Sequence, residues 1–465
     1  MTARKEHRWP SFLIETLDSA GKHVHTASHR AVNQQMFYTR DAENIRVILT
    51  ASLSDYGLGG SRGANFAPVL GHGLLTAEGE AWHYYRTCAR PLFTRAKQDE
   101  NLRILEALLQ KLWSPSFAED VWTEEMDLQS MFLDLMLDAT LALFFGDSAL
   151  SDTISRSSDD LEMIDKTAFG ASLDVAATYV GNRTVLGNFC WLKQSQEFRR
   201  HCKIIRKFID EWIIRTQYEQ RHDKCMTASS IANARYARQD LIRKRNHVQP
   251  LLSSGRNTTG ALLAVIFYHL MKNPEMYQRL RREIIQTFDF EINENINHAS
   301  LESCEYLHFC ILEGLRLGSI LPAIMRSARK DIVLPRGGGS DGQSPIFVEK
   351  GSTIIICIYA LHYRTDLWGE DVGVFNPERW REYQFDWSFL PFSKGRRQCI
   401  GQQLAITQAK YVIARFLQRF DAIRSVDEDC SIQHKTDIST SFVFDSKVKF
   451  RFADPQNVDS SANLA

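Results

Sequence analysis

The spacing of apolar side chains changes period along the chain, and each change predicts an element. Between His23 and Ala51 short alternating runs predict a small mixed β-sheet. Asp41-Ala42-Glu43-Asn44, ahead of Ile45, Val47, Ile48 and Leu49, predicts a helix with an acidic first turn. Gly57 to Gly73 has no steady period and is rich in glycine, with Pro68 inside it, so it reads as a long loop placed to cover a pocket. Ala81-Trp82-His83-Tyr84-Tyr85-Arg86 opens a helix, and helical periods follow at Asn101–Trp113, Leu128–Phe145 and Gln194–Arg221. Ser and Asp crowd Asp147–Asp160, which reads as a loop. The long segment Gln239–Lys272 is apolar over Ala261–Met271, and Pro250 removes one helical hydrogen bond upstream, which predicts a kink. Gly337-Gly338-Gly339-Ser340-Asp341-Gly342 lacks the Lys-Ser/Thr of a phosphate loop and predicts a turn between strands. Ile354–Tyr359 follows as a strand, and Gln402–Phe420 as an amphipathic helix. After Arg451 the chain turns polar, and disorder is expected.

Composition adds bounds to this picture. At 465 residues, 44% of them hydrophobic, the chain has ample material for a core and admits one large domain or two to three ordinary ones. Lys+Arg and Asp+Glu are equal at 56 each, so no global charge points to nucleic acid or to an anionic membrane. The nine cysteines are scattered without a C-x-x-C pair, which argues against a zinc knuckle or a disulfide framework and favours a reducing compartment. Met1–Ser11 is polar and basic and precedes no apolar run near the ~20 residues that a bilayer crossing needs. No anchor is read there: either the protein is soluble or the gene product is truncated.

One cysteine stands apart by its neighbours. In Phe392-Ser393-Lys394-Gly395-Arg396-Arg397-Gln398-Cys399-Ile400-Gly401, Gly395 and Gly401 free the backbone to aim N–H donors at sulfur. Arg397 places a cation two residues away, suited to an anionic group of a cofactor, and Phe392 offers a ring to a flat macrocycle. An isolated cysteine is usually a small buried hydrophobe; this setting favours a metal ligand. The spacing Phe-x-x-Gly-x-Arg-x-Cys-x-Gly resembles the haem-binding signature of the cytochrome P450 family, complete at all five fixed positions.

The resemblance gives other residues a reading that they lack alone. Trp82 and Arg86, one turn apart, resemble the family's Trp-x-x-x-Arg contact to a haem propionate, although such a pair is more often a surface cation–π contact. Ser254-Gly255-Arg256-Asn257-Thr258-Thr259 resembles the family's distal run. There Thr258 implies the hydroxyl that bonds dioxygen, and Asn257 departs from the usual acid; without the resemblance the run is a Ser/Thr-rich helix end or an Asn turn. Glu313 and Arg316 with Arg379 resemble the family's buried Glu-x-x-Arg network, a structural role, and Arg326 matches a further propionate contact.

The matching positions run from about Trp82 to Gln403, with the wording around Leu334–Ile346, Trp368–Trp380 and Cys399–Ala405 similar to fungal members that hydroxylate long-chain alkanes and fatty acids. The resemblance implies a mainly α fold with a small β-rich lobe, a single domain over 1–454 with a polar tail at 455–465, and haem b held by Cys399. It also implies NADPH-cytochrome P450 reductase as the electron source, and insertion of one oxygen atom into an apolar organic substrate in lipid oxidation or secondary-metabolite biosynthesis. Membrane contact is expected to be at most peripheral, on the cytoplasmic side of the endoplasmic reticulum, and no nucleic acid partner is expected. Substrate recognition is expected in Gly57–Gly73, Leu161–Gly187 and a loop around Thr440–Phe444. An isomerase or dehydratase that needs no reductase stays open because of Asn257, as does a non-catalytic haem-binding relative.

Overall fold

The computed structural model describes residues 9–453 except 22, 32–33, 52–53, 114–120, 147–164, 186, 220–236, 291–295, 385, 428–431, 437–439 and 445–446. The expected Asp147–Asp160 loop and the tail at 455–465 therefore lie outside the described residues, as does the start of the Leu161–Gly187 segment.

Along the chain the main helices are α1 (Trp9–Asp18), α2 (Ala42–Thr50), α3 (Gly60–Leu70), α4 (Gly79–Ala89), α5 (Arg95–Leu112) and α6 (Leu128–Phe145). After these come α7 (Lys166–Val185), α8 (Gln196–Glu219), α9 (Ala237–Lys272), α10 (Pro274–Phe288), α11 (Glu305–Gly318) and α12 (Gln402–Arg419). The strands are β1 (Thr26–Ala31), β2 (Gln34–Thr39), β3 (Tyr56–Gly57), β4 (Ile324–Ala328), β5 (Ile332–Gly338), β6 (Ser344–Val348) and β7 (Thr353–Ile356). Near the end lie β8 (Phe420–Ser425), β9 (Ile432–Thr436), β10 (Thr440–Phe444) and β11 (Val448–Phe452). A five-stranded sheet ordered β1-β2-β7-β4-β3, with only β2 and β7 parallel, forms the β lobe, and three two-stranded pairs complete the strands. Helices make up the rest, as the resemblance implied.

Local chemistry explains the elements that were expected. Asp41 caps α2 by accepting from the Asn44 N–H at 2.9 Å, and Asp127 caps α6 by accepting from Ser130 N–H at 2.5 Å. Helix α6 is apolar nearly all round, and accordingly it is buried rather than amphipathic. It is the one helix among the described residues long and apolar enough to cross a bilayer, and 72% of that stretch lies inside the protein. Helix α9 packs against α6, α11 and α12 around Phe267, Phe132 and Phe416, whose rings stack within 5.4 Å of one another.

Three expectations are corrected. Gly57–Gly73 is not a long loop: most of it is α3. Pro68 lacks the N–H that would bond the Ala64 carbonyl, and Arg183 of α7 takes that carbonyl at 2.9 Å instead. The glycines there serve close approach: a Cβ on Gly73 would fall 1.8 Å from the Asn246 carbonyl of α9. That same carbonyl is the one that loses its helical partner at Pro250, and α9 continues through the proline. The strand expected over Ile354–Tyr359 ends at Ile356: the Cys357 N–H makes the last bond to β2, to Thr39 O at 2.8 Å, and Ile358–His362 is helical. The segment Thr440–Phe444, expected as a loop, pairs as β10 with β9. The glycine turn after β5 is as expected, with Gly337 N–H bonding Gly342 O at 2.8 Å.

Candidate active site

The loop before α12 is shaped around Cys399. Gly395 sits at φ +75°, and a Cβ there would meet the Leu49 carbonyl of α2 at 2.1 Å, so only glycine lets the loop lie on that helix end. The Cys399 N–H donates to Phe392 O at 3.0 Å and the Gln398 N–H to Gly395 O at 3.0 Å, which close the loop upon itself. Phe392 packs against the main core. Among the described cysteines Cys399 is the exposed one, whereas Cys190, Cys202, Cys304, Cys310 and Cys357 are buried. Its thiol is nevertheless surrounded by protein: burial raises its pKa, opposed by the Gly401 N–H and the Arg86 guanidinium. A thiol so placed becomes a thiolate when a metal takes the proton's place.

About the cysteine loop are gathered four arginines from four elements. Trp82 of α4 lies beneath two of them, with Arg397 4.7 Å and Arg86 5.5 Å from its ring centre. Arg86 Nη1 donates to Gln398 O at 3.0 Å, and Arg397 Nη2 to Ala77 O at 2.7 Å. Arg326, on β4, donates to the Met325 carbonyl at 2.9 Å, and Arg62, on α3, to Leu75 O at 3.2 Å. Burial first, and then Arg326 and Arg397, push Arg62 down to about 10. Arg397 falls to about 10 for the same reasons, burial and then Arg326, and Arg326 is lowered by burial. Glu78 opposes all three shifts. A cavity of about 230 Å³ opens among Tyr56, Leu58, Glu78, His83, Arg326 and Arg397. Cations held this close out of water call for anions. Arg62 was missed in the sequence because its segment read as a loop; an arginine inside an otherwise uncharged glycine-rich run was the available signal.

Behind the loop the second charged cluster is fully paired. Arg316 donates to Glu313 at 2.9 and 2.7 Å, both side chains wholly buried, and Arg379 Nε reaches Glu313 Oε1 at 3.0 Å. Trp380 Nε1 and the Asn376 N–H add bonds at 3.0 and 3.1 Å. Arg316 also caps the carbonyls of His362 and Val372 at 3.0 and 2.8 Å. His362, which the sequence reading overlooked, carries this network to the cysteine loop: its Nε2 accepts from the Leu390 N–H at 3.0 Å, and its Nδ1 is 3.0 Å from Ser319 Oγ. Acceptance at Nε2 puts the proton on Nδ1. Burial, and then Arg316, push the imidazole down to about 3.

On α9 the Thr258 hydroxyl donates to the Ser254 carbonyl at 2.8 Å, and Asn257 Oδ1 accepts from Arg256 at 2.8 Å. Gly255 faces α6, where a Cβ would lie 2.6 Å from Thr140 Oγ1. Neither Thr258 nor Asn257 has a hydrogen bond to the cysteine loop among the described residues.

The family model for cytochrome P450 matches residues 18–447. The chain is a cytochrome P450. It is 34% identical over 449 residues to cytochrome P450 monooxygenase g430 of Fusarium sp, covering 93% of this chain and 78% of that one. Similarity extends to cytochrome P450 52A12 of Debaryomyces hansenii (33%, covering 92% and 83%) and to cytochrome P450 monooxygenase alt2 of Alternaria solani (31%, covering 92% and 83%). As a cytochrome P450 it is a monooxygenase that carries haem b on a cysteine thiolate and receives electrons from NADPH through a reductase. Oxygen insertion is favoured over the isomerase or dehydratase alternative. The residues present fit the cofactor: an accessible thiol, and an excess of arginine where a porphyrin's carboxylates would balance it.

Proposed function

We propose that Cys399 is the haem ligand and that Arg86, Arg326 and Arg397, with Arg62, hold the propionates while Trp82 supports two of these guanidinium groups from below. The observation that carries this is the pairing of one accessible cysteine with an arginine cluster short of carboxylates. When bound, the haem supplies oxygen activation, which thiolate donation favours by easing O–O cleavage. The protein's part is to orient and to move protons. Thr258 Oγ1 offers a hydroxyl able to pass a proton. Asn257 orients water with its amide, since an amide, unlike a carboxylate, cannot itself titrate. Glu313, Arg316 and Arg379 act on the fold, with Phe392, Gly395 and Gly401 shaping the loop. Residues 1–454 act as a single domain.

The substrate is an apolar organic molecule, and the wording shared with fungal alkane and fatty-acid hydroxylases favours a long-chain alkane or fatty acid. The electron donor is NADPH-cytochrome P450 reductase. The protein works on the cytoplasmic side, soluble or peripheral to the endoplasmic reticulum. Carbon monoxide difference spectroscopy tests the ligand: the reduced protein shows the red-shifted Soret band of thiolate ligation, and Cys399→His abolishes it. A variant that kept the band would remove Cys399 as the ligand.

A further inference from the structure

Arg256 is nearly fully buried at 3% exposure, yet it is not simply enclosed by its own helix. Its Nη1 lies 2.6 Å from Asp174 Oδ1 and its Nη2 3.0 Å from Asp174 Oδ2, a two-toothed pair that ties α9 to α7. The same Nη1 donates to Asn257 Oδ1 at 2.8 Å. Gly170, one turn before Asp174 on α7, lies against the same guanidinium: a Cβ there would stand in ordinary contact, 3.5 Å from Nη2. Asp134 on α6 also feels this charge: burial raises its pKa, and Arg256 leads the charges that oppose the rise. Asp174 itself is half-exposed, with its side chain 46% accessible, so this anion remains wet while the cation is dry.

Arginine has donors and no acceptor. The Asn257 atom beside it must therefore be the carbonyl oxygen, which fixes an orientation that an isolated amide leaves open. With the oxygen occupied, Nδ2 is turned away, and no hydrogen bond from it is found among the described residues. An acid at this position, which the family pattern leads one to expect, would instead set two carboxylates on one guanidinium and present no donor at all.

We infer that Arg256 is a positioning residue for oxygen chemistry: the Asp174–Arg256 pair fixes the Asn257 amide so that Nδ2 is presented as a donor beside Thr258, and makes that orientation depend on the seating of α7 upon α9. The inference rests on the placement of Asn257 on the distal side of haem proposed above. A purely architectural arginine would affect helix seating alone; this one acts through its neighbour.

The test uses the haem-loaded full chain and four variants: Arg256→Gln, Asn257→Ala, the two combined, and Asp174→Asn. Hydrogen exchange over α7 reads the seating. The rate at which dithionite-reduced protein is reoxidised in air-saturated buffer, followed at the Soret band, reads the distal donor without need of a substrate. Arg256→Gln and Asp174→Asn are expected to speed exchange in α7, and Asn257→Ala is not. Arg256→Gln and Asn257→Ala are each expected to change the reoxidation rate about tenfold, the scale of one hydrogen bond to a charged group, and the double variant no more than Asn257→Ala alone. Additive effects in the double variant overturn the inference, as does a wild-type reoxidation rate in Arg256→Gln. A wild-type rate in Asn257→Ala while Arg256→Gln reoxidises abnormally sinks the distal placement of Asn257 and the inference with it. If Arg256→Gln does not fold, Asp174→Asn with and without Asn257→Ala carries the same cycle, because that carboxylate reaches solvent.

Discussion

Glu313 accepts five hydrogen bonds from Arg316, Arg379, Trp380 and the Asn376 N–H, whereas Arg62, Arg326 and Arg397 share one carboxylate, Glu78, which is itself paired with Arg329 at 2.8 Å. Both clusters are arginine-rich and both are largely withdrawn from water. The first is closed: every donor of its arginines that matters meets an oxygen of the protein, and nothing further is needed. The second is open: Arg326 and Arg397 depress the protonation of Arg62, Arg326 that of Arg397, and a cavity is lined by Arg326 and Arg397. Completeness of pairing thus separates a scaffold from a receptor, because a buried charge left without a partner is costly unless a ligand supplies one.

The comparison is most exposed at Arg316. Replacing it by alanine leaves Glu313 buried without its main cation, and breaking such a network costs roughly 3–5 kcal/mol, a large share of ordinary domain stability. Arg316→Ala is expected to give haem-free or aggregated protein. Folded haem protein with a normal spectrum and no turnover would show that the closed cluster is chemical after all.

The next effect runs through His362, whose pKa in the folded protein is about 3, against 6.5 for an unburied histidine. The fold holds this imidazole neutral, so its contribution is complete above pH 6.5 and is lost as pH falls from 6.5 towards 3. The slope is at most ~1.4 kcal/mol per pH unit for one such proton. His247, lowered to about 4 by burial, acts in the same direction. Chemical denaturation from pH 7 to pH 4 should show this loss, with a shallower slope in His362→Gln. An unchanged slope would mean that the histidine does not join the closed network to the cysteine loop.

How far the sequence foretold the two clusters differs for a physical reason. The network of Glu313, Arg316 and Arg379 was legible because its chemistry is written in fixed local spacings, as is the motif of Cys399 and Arg397 on which the proposed haem site rests, and the fold class followed from the family that those spacings resemble. Arg62 was not, because glycine and Pro68 masked a helix in which Arg183, far away in sequence, replaces the bond that proline forfeits. His362 was equally silent, since its role lies in bonds to Leu390 and Ser319, far away in sequence. The pairing of Arg256 with Asp174 spans 82 positions and no local pattern announces it.

At the open cluster the expected signs are opposite for the two forms of the protein. Arg62→Met removes repulsion from Arg326 and Arg397, so the haem-free protein should be as stable as the wild type or more so. Haem release should accelerate about tenfold, the scale of a charge-assisted contact worth ~1.5 kcal/mol. Haem transfer to apomyoglobin and denaturation of the apoprotein measure the two. Loss of stability in both forms would place Arg62 with the closed cluster.

The smallest change in stability is expected where the two kinds of site meet, at Asn257. Asn257→Asp adds a carboxylate beside Arg256, which already holds Asp174 at 2.6 Å. The new ion pair gains little because the guanidinium's charge is already shared, so the shift in stability should stay within ~1 kcal/mol. Coupling is the more telling readout. Thr258→Ala should lower product formed per NADPH and raise hydrogen peroxide, since the hydroxyl proposed to pass a proton is gone, whereas Asn257→Asp exchanges the Nδ2 donor for a group that can itself carry a proton and should keep that ratio. Both are read with purified reductase and a long-chain fatty acid, by product yield and peroxide against NADPH consumed. If Thr258→Ala left the ratio unchanged, α9 would hold no proton-handling group at this point, and its hydroxyls, bonded back to carbonyls one turn earlier, would be helix structure alone.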